Sequence, residues 1–340
     1  MNLLRSIFAA LVAALLSFVM FSQAPAEAGR LRISHQWAAD KDARDRSARV
    51  LAAEAQKRAP GLAISIHPDS SLGIAPLDQY DAMLDGRIEA AIFPLFYIAP
   101  RIPELSVTLL PGVPATIEHA NLLKGSEFHK RLRAVAEKNG FHIVTWWWLA
   151  GGLVSIDDKI GGVDDMKGVH IRSGDKLFDL MFARAGAVPM TMPSTEIADE
   201  MRSGRLNIAQ ASLETLLSMN IQRVARTAVI GGNALYISLH PLMVSTKAWS
   251  ALSDAERKAI EEAVDVADRD FIASQARIEA QSVAAFESAG VRTRAMLFDE
   301  YEKWLRLAQQ TSWMAYRGQS PESAGLIDAL LTSLIQSKPK

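Results

Sequence analysis

From residue 31 onward, short apolar runs of strand character alternate with longer stretches that repeat at helical spacing. Leu31-Arg32-Ile33-Ser34 predicts a strand, and the polar loop His35 to Asp40 follows it. Ala43 to Ala59, rich in Ala and Arg and stopped by Pro60-Gly61, predicts a helix. Leu62 to Ile66 predicts a second strand, Leu77 to Leu84 a helix closed by Asp85-Gly86, and Ile88 to Phe93 a third strand. This β-α-β-α-β order predicts an α/β sheet with a substantial parallel component. Five prolines (94, 100, 103, 111 and 114) make Pro94 to Pro114 an irregular crossing. Ile117 to Asn139 resumes helix, and Phe141 to Trp148 reads as an aromatic strand running into Ala150-Gly151-Gly152. That glycine pair is a candidate hinge, because glycine reaches backbone angles other residues resist.

The rhythm then restarts. Strands are expected over 169–172, 188–192 and 206–209, with helices over 177–185 and 196–202. Two α/β units in succession predict two lobes, and Leu235 to Ser245 reads as a strand returning to the first. Ser253-Asp254-Ala255-Glu256 has the form of a capping box. No Gly or Pro interrupts Ala255 to Ala289, which predicts a helix of about 35 residues, roughly 50 Å at 1.5 Å per residue. Ile260, Val264, Phe271, Ile278 and Phe286 do not keep heptad spacing. The helix is therefore expected to lie across both lobes, not to form a coiled coil.

Composition narrows the compartment. Arg5, the apolar stretch Ser6 to Phe21 and the small-x-small Ala26-Glu27-Ala28 predict a cleavable export signal over 1–28. The 340 residues contain no cysteine, which excludes disulfides, a thiolate nucleophile, cysteine-ligated metal and a thioether lipid anchor. No later run is long and apolar enough for stable membrane insertion. A soluble periplasmic protein is the expectation. With 37 Lys+Arg against 38 Asp+Glu, the net charge of -1 argues against a nucleic-acid partner.

Catalytic signals are missing from the sequence. Seven histidines show no close metal-ligand spacing, and there is no G-x-S-x-G, P-loop or complete G-x-G-x-x-G motif. No enzyme activity, metal or cofactor is expected. Arg172 stands out, at the end of a strand and before Ser173-Gly174-Asp175. Ligands of open α/β folds bind outside the carboxyl ends of strands, and a guanidinium matches a carboxylate with two parallel hydrogen bonds. Trp146-Trp147-Trp148 places alternate rings on opposite faces. Beside Gly152, Trp146 and Trp148 are candidates to line a ligand slot, as are Trp37 after the first strand and Phe96 and Tyr97 after the third.

Several stretches together resemble a known family. Leu72-Gly73 and Met83 to Ile88 (MLDGRI) are similar to its LG and helix–Gly–strand segments. Val163 to Arg172 (VDDMKGVHIR) resembles its most specific signature, and Ala185 to Ile197, Met201 to Leu206 and Trp249 to Ala263 resemble further segments. Trp148 to Gly152 (WLAGG) is similar to a WQAGG seen in one subgroup. On these residues the chain resembles the solute receptors of TRAP (tripartite ATP-independent periplasmic) transporters, of the DctP type.

The resemblance implies a two-lobe periplasmic binding protein fold with hinge strands and a long helix spanning both lobes. It divides the chain into lobe I (29–149 plus about 237–275), lobe II (150–236 plus about 276–325) and a C-terminal tail (326–340). It implies that Arg172 binds the carboxylate of a small organic acid, and that small and large TRAP membrane subunits receive it. The chain departs from the pattern at Leu153 to Ile156, which lacks a further basic residue, and at Asn207-Ile208. Where many members use a ligand-binding Asn this chain has Ala211, with Ser212 and Glu214 nearby. These departures imply a single carboxylate anchor with more apolar walls. A binding protein feeding a membrane sensor, or a periplasmic hydrolase or isomerase, remain the alternatives at this level.

Overall fold

The computed structural model describes residues 29–158 and 160–336, so the export signal expected over 1–28 lies outside the described residues. The first lobe opens with β1 (Arg30–Ser34), β2 (Ala63–His67), β3 (Ala90–Ile92) and β4 (Phe141–Ile143). β5 (Trp148–Ser155) leaves it, and β6 (His170–Ser173), β7 (Val188–Thr191), β8 (Ile208–Ser212) and β9 (Thr227–Gly232) build the second. β10 (Ile237–Leu239) and β11 (Leu242–Ser245) carry the chain back, and β12 (Arg292–Met296) completes the second sheet. The two sheet orders are β2-β1-β3-β11-β4 and β12-β9-β5-β8-β6-β7, with β10 pairing β5. β1 is parallel to β2 and β3, and β6 is parallel to β7 and β8. The chain adopts the expected α/β class with two lobes.

Alternation along the strands explains why each sheet is covered on both faces. In β3, Ala90 and Ile92 join a core with Ile33, Trp37 and Phe271, while Ala91 joins another with Phe128, Phe141 and Leu326. In β5, Leu153 packs with Ile171 and Trp304, and Val154 with Ile278 and Phe286. The long helix runs Asp254–Ser288, 35 residues. Its capping box is formed: the Ser253 N–H donates to Glu256 Oε2 at 2.8 Å, and the Glu256 N–H to Ser253 Oγ at 3.3 Å. Ile260, Val264 and Phe271 enter a first-lobe core, whereas Ile278 and Phe286 enter a second-lobe core. One helix thus ties the two lobes together, as its unbroken length predicts.

Four details differ from the sequence expectation. The aromatic strand expected over 141–148 is interrupted, with residues 144–147 lying between β4 and β5. The helix expected over 117–139 is two, Ile117–Asn121 and Glu127–Lys138. Gly125 turns the chain at φ +82° and Ser126 caps the second helix. The strand expected over 235–245 is split into β10 and β11 at His240-Pro241, where proline offers no N–H to the ladder. The boundary drawn at 326 falls inside the helix Pro321–Gln336, whose Leu326, Ile327 and Leu330 are buried in a first-lobe core.

The glycine pair also has a different reason. Gly151 and Gly152 lie within β5, paired with Ser212 and Ala211 of β8. A Cβ on Gly152 would stand 2.6 Å from the Val229 carbonyl oxygen, and one on Gly151 would strike the Tyr236 ring. These glycines permit close approach, not unusual backbone angles. The lobes are joined by the β5–β10 ladder, Ile237 to Leu239 against Trp148 to Ala150, and by the long helix.

Candidate functional site between the lobes

Both sheets direct the carboxyl ends of their parallel strands toward the junction, where ligands of open α/β folds bind. His35-Gln36-Trp37 follows β1, Phe96 and Tyr97 follow β3, Arg172 and Ser173 end β6, and Met192 to Ser194 follow β7. Direct hydrogen bonds cross the junction. Gln36 Nε2 donates to Ser194 Oγ at 2.7 Å, and the Ser194 N–H donates to Tyr97 Oη at 3.1 Å. Tyr97, expected beside the ligand, is in this clasp, with its ring edge-on to Phe96 at 5.2 Å.

Arg172 is 1% exposed. Its Nη1 donates to the Gln210 carbonyl oxygen at 2.6 Å. Nε and Nη2 both donate to the Met192 carbonyl oxygen, at 3.2 and 3.1 Å. Carbonyls orient the guanidinium without neutralising it. Three of the five N–H groups are used, leaving one on each of Nη1 and Nη2. Among the described residues no carboxylate forms an ion pair with it. A buried cation in this state favours an anion that accepts two hydrogen bonds side by side.

The first-lobe half of the site includes residues that the sequence did not single out. Arg44, in the first turn of the helix Ala43–Arg58, is fully buried. It grips Asp42 through Nε to Oδ1 at 2.7 Å and Nη2 to Oδ2 at 2.6 Å. Nη2 also donates to Thr215 Oγ1 at 3.0 Å, and Nη1 to His240 Nδ1 at 2.7 Å. Its guanidinium carbon lies 3.5 Å from the centre of the Trp37 ring, a cation–π contact. Trp37 in turn stacks on His35 at 5.9 Å and on His240 at 5.8 Å. Burial pulls Asp42 upward, but the Arg44 guanidinium outweighs it and holds the carboxyl below the usual carboxylate range. Burial, then the Arg44 and Arg172 cations, keep His240 far below its ordinary value and neutral. Arginine has only donors, so His240 Nδ1 accepts and its Nε2–H faces Ser238 Oγ at 2.7 Å.

The remaining candidates divide. Ser212 caps the helix Leu213–Ser218, accepting from the Thr215 N–H at 3.3 Å. Glu214 accepts from the Ala43 N–H and from Gln275 Nε2, both at 3.1 Å, so it bridges the second lobe to a first-lobe helix and the long helix. Burial and then Asp42 push its carboxyl up to about 7. Trp146 and Trp148 are not brought to Arg172. Trp146 donates to the Ala120 carbonyl oxygen at 3.3 Å and meets Trp148 edge-on at 5.5 Å inside a first-lobe core. Gly152 serves the strand packing described above.

Asp175, three residues past Arg172, caps the helix Lys176–Arg184. It accepts from the Leu177 N–H at 2.7 Å and from Ser106 Oγ at 2.8 Å. Burial, with a smaller push from Asp179, raises its carboxyl to about 6. A raised folded value contributes stability fully present below the unfolded value of about 3.9, and lost as pH rises through about 6. Asp175→Asn keeps an N-cap and removes the buried charge. Calorimetry is expected to show Tm raised by a few degrees at pH 8, with the gain shrinking toward pH 4. An equal gain at both ends would refute the titration.

Comparison with known proteins gives one consistent result. Residues 33–317 match the family described as bacterial extracellular solute-binding protein, family 7 (DctP). A solute-binding protein of Albidiferax ferrireducens is 29% identical over 317 residues, covering 92% of this chain and 94% of its own. The crystal structure of a TRAP periplasmic solute binding protein from Rhodoferax ferrireducens with bound malonate is 28% identical. It superposes with a TM-score of 0.87 over 90% of this chain and 98% of its own. A TRAP periplasmic solute binding protein from Desulfovibrio salexigens with bound orotic acid shares the fold, with a TM-score of 0.83 at 19% identity over 91% and 99% of the two chains. No described helix is long and apolar enough to cross a membrane.

Proposed function

The chain belongs to family 7 of the bacterial extracellular solute-binding proteins, and from that premise we propose that it captures a small organic acid between its lobes. Arg172 pairs with the ligand carboxylate, and Trp37, Tyr97 and Gln36 face it from the first lobe. The receptor works in the periplasm and hands its ligand to the small and large membrane subunits of a TRAP transporter. It is a carrier, not an enzyme.

The observation that carries this reading is the state of Arg172. A guanidinium that is buried, oriented by two carbonyls and free of any carboxylate partner among the described residues is suited to an anion arriving from outside. The bound acid also completes contacts between lobes, so ligand favours the closed arrangement by its differential affinity for it. The malonate bound to the Rhodoferax ferrireducens relative supports a carboxylate as the ligand class.

Thermal unfolding against a panel of organic acids tests the proposal. A ligand at 100 times its Kd stabilises by about 2.7 kcal/mol, a shift of several degrees. Dicarboxylates, 2-oxo acids, aromatic carboxylates and sugar acids belong in the panel beside matched neutral solutes. At least one acid is expected to raise Tm. Shifts by neutral solutes alone would overturn the carboxylate reading.

A further inference from the structure

Resting on the reading of the Arg172 cleft as an acid site, we infer that the receptor selects monoanionic acids carrying a neutral polar group, and discriminates against dianions of the same size. The argument is an inventory of charges and hydrogen-bonding atoms around the cleft. Arg172 contributes one cation with a free pair of N–H groups. Arg44 is the other buried arginine at this junction, and four of its five N–H groups are taken by Asp42, Thr215 and His240. Its charge is cancelled by Asp42, both side chains being fully buried. Arg44 therefore has no fork to offer a second carboxylate.

The other titratable groups do not supply the missing cation. His240 is neutral, with both ring nitrogens engaged. His35 Nε2 faces Asp45 at 3.1 Å, and Asp45 also takes Arg49 at 2.8 Å. Glu214, on the second-lobe side, is an acid. Among the described residues the cleft thus presents one buried, uncompensated positive charge. A second carboxylate enclosed there would lack a partner, and an unpaired buried charge is strongly unfavourable.

Two buried atoms on the loop after β1, the loop that bonds Ser194 across the junction, point to what takes the place of the second carboxylate. Gln36 Oε1 and Trp37 Nε1 have no hydrogen-bond partner among the described residues. They are one acceptor and one donor, on consecutive residues of the loop after β1. A hydroxyl or a lactam amide answers both, since each group donates and accepts. A carboxylate only accepts, and so leaves Gln36 Oε1 unanswered.

Calorimetric titration at pH 8 with matched pairs reads this directly: malonamate against malonate, succinamate against succinate, and pyroglutamate against glutarate. In every pair that binds, the monoanion is expected to bind at least tenfold more tightly. Asp42→Asn keeps the helix cap and releases the Arg44 fork, so the ratio of dianion to monoanion affinity is expected to rise at least tenfold. A dianion that binds wild type as tightly as its monoanionic partner overturns the inference and leaves the acid-receptor reading standing. Binding by none of these or other carboxylates, while neutral solutes bind, overturns both. If Asp42→Asn fails to fold, the wild-type pairs still decide.

Discussion

Arg172→Ala is expected to weaken capture of the organic acid by at least a hundredfold. The ligand carboxylate would enter a buried site with its cation removed, and breaking a buried charge pair costs about 3–5 kcal/mol. At about 1.4 kcal/mol per decade, that is two to more than three orders of magnitude in Kd. Arg172→Lys separates charge from geometry. It keeps the cation but loses the planar fork, and an ammonium cannot span the Met192 and Gln210 carbonyls while presenting two parallel donors. A loss of about tenfold or more is expected for lysine. Both variants orphan carbonyls, so unliganded Tm must be measured beside Kd; each orphaned buried acceptor costs about 1–3 kcal/mol. A folded Arg172→Ala protein that binds like wild type would sink the anchor assignment.

The parts of this site that sequence exposes are those set by local rules. Arg172 ends a strand inside the most specific family-like segment, and strand ends are where α/β folds place ligands. The loops that carry Trp37 and Tyr97 are singled out by the same rule. The Asp42–Arg44–His240 cluster was not, because nothing local announces it. Asp42 reads as an ordinary N-cap and Arg44 as a helix arginine, while His240 is 196 residues away from Arg44 at the kink before Pro241. Only the return of β11 to the first sheet brings the two together. The signal that remained available was Pro241 inside an apolar run, which argues against an unbroken strand.

The tryptophan run failed for the opposite reason. Alternation correctly separates Trp147 from its neighbours, and Trp147 stacks on Phe271 of the long helix at 5.1 Å. Alternation cannot say whether the other face meets a ligand or a second core. Here that face meets helix Glu127–Lys138, and Phe128 and His129 occupy the space around Trp146. Fold class was legible because both sheets are covered on both faces, which the apolar strand pattern encodes. The glycine pair was legible as special, but its cause, a carbonyl 2.6 Å from where a Cβ would lie, is a tertiary fact.

The largest stability effect is expected at Arg44. Arg44→Met keeps length and bulk over the Trp37 ring but strands the Asp42 carboxylate, whose own exposure is zero. Loss of one partner of a buried pair costs about 3–5 kcal/mol, a fall in Tm of roughly 6–20 °C at about 2–4 °C per kcal/mol. The double variant Asp42→Asn, Arg44→Met removes both charges while asparagine retains the cap, so it is expected to recover more than half of the loss. The non-additivity defines the pair, since contacting charges couple by about 0.5–3 kcal/mol. The sign of the pH dependence gives a second readout. In wild type the Asp42 carboxyl is held low by Arg44. Without the Arg44 guanidinium, burial is opposed chiefly by the hydrogen bond from the backbone N–H of residue 44, so the carboxyl is expected to rise and folded stability to be lost as pH climbs through the new value. The gap between wild type and Arg44→Met should therefore widen from pH 4 to pH 8, and it should stay flat for the double variant. Additive effects with a flat pH profile would mean that Asp42 and Arg44 do not act as a neutralising pair. The second cation would then be free to receive a carboxylate.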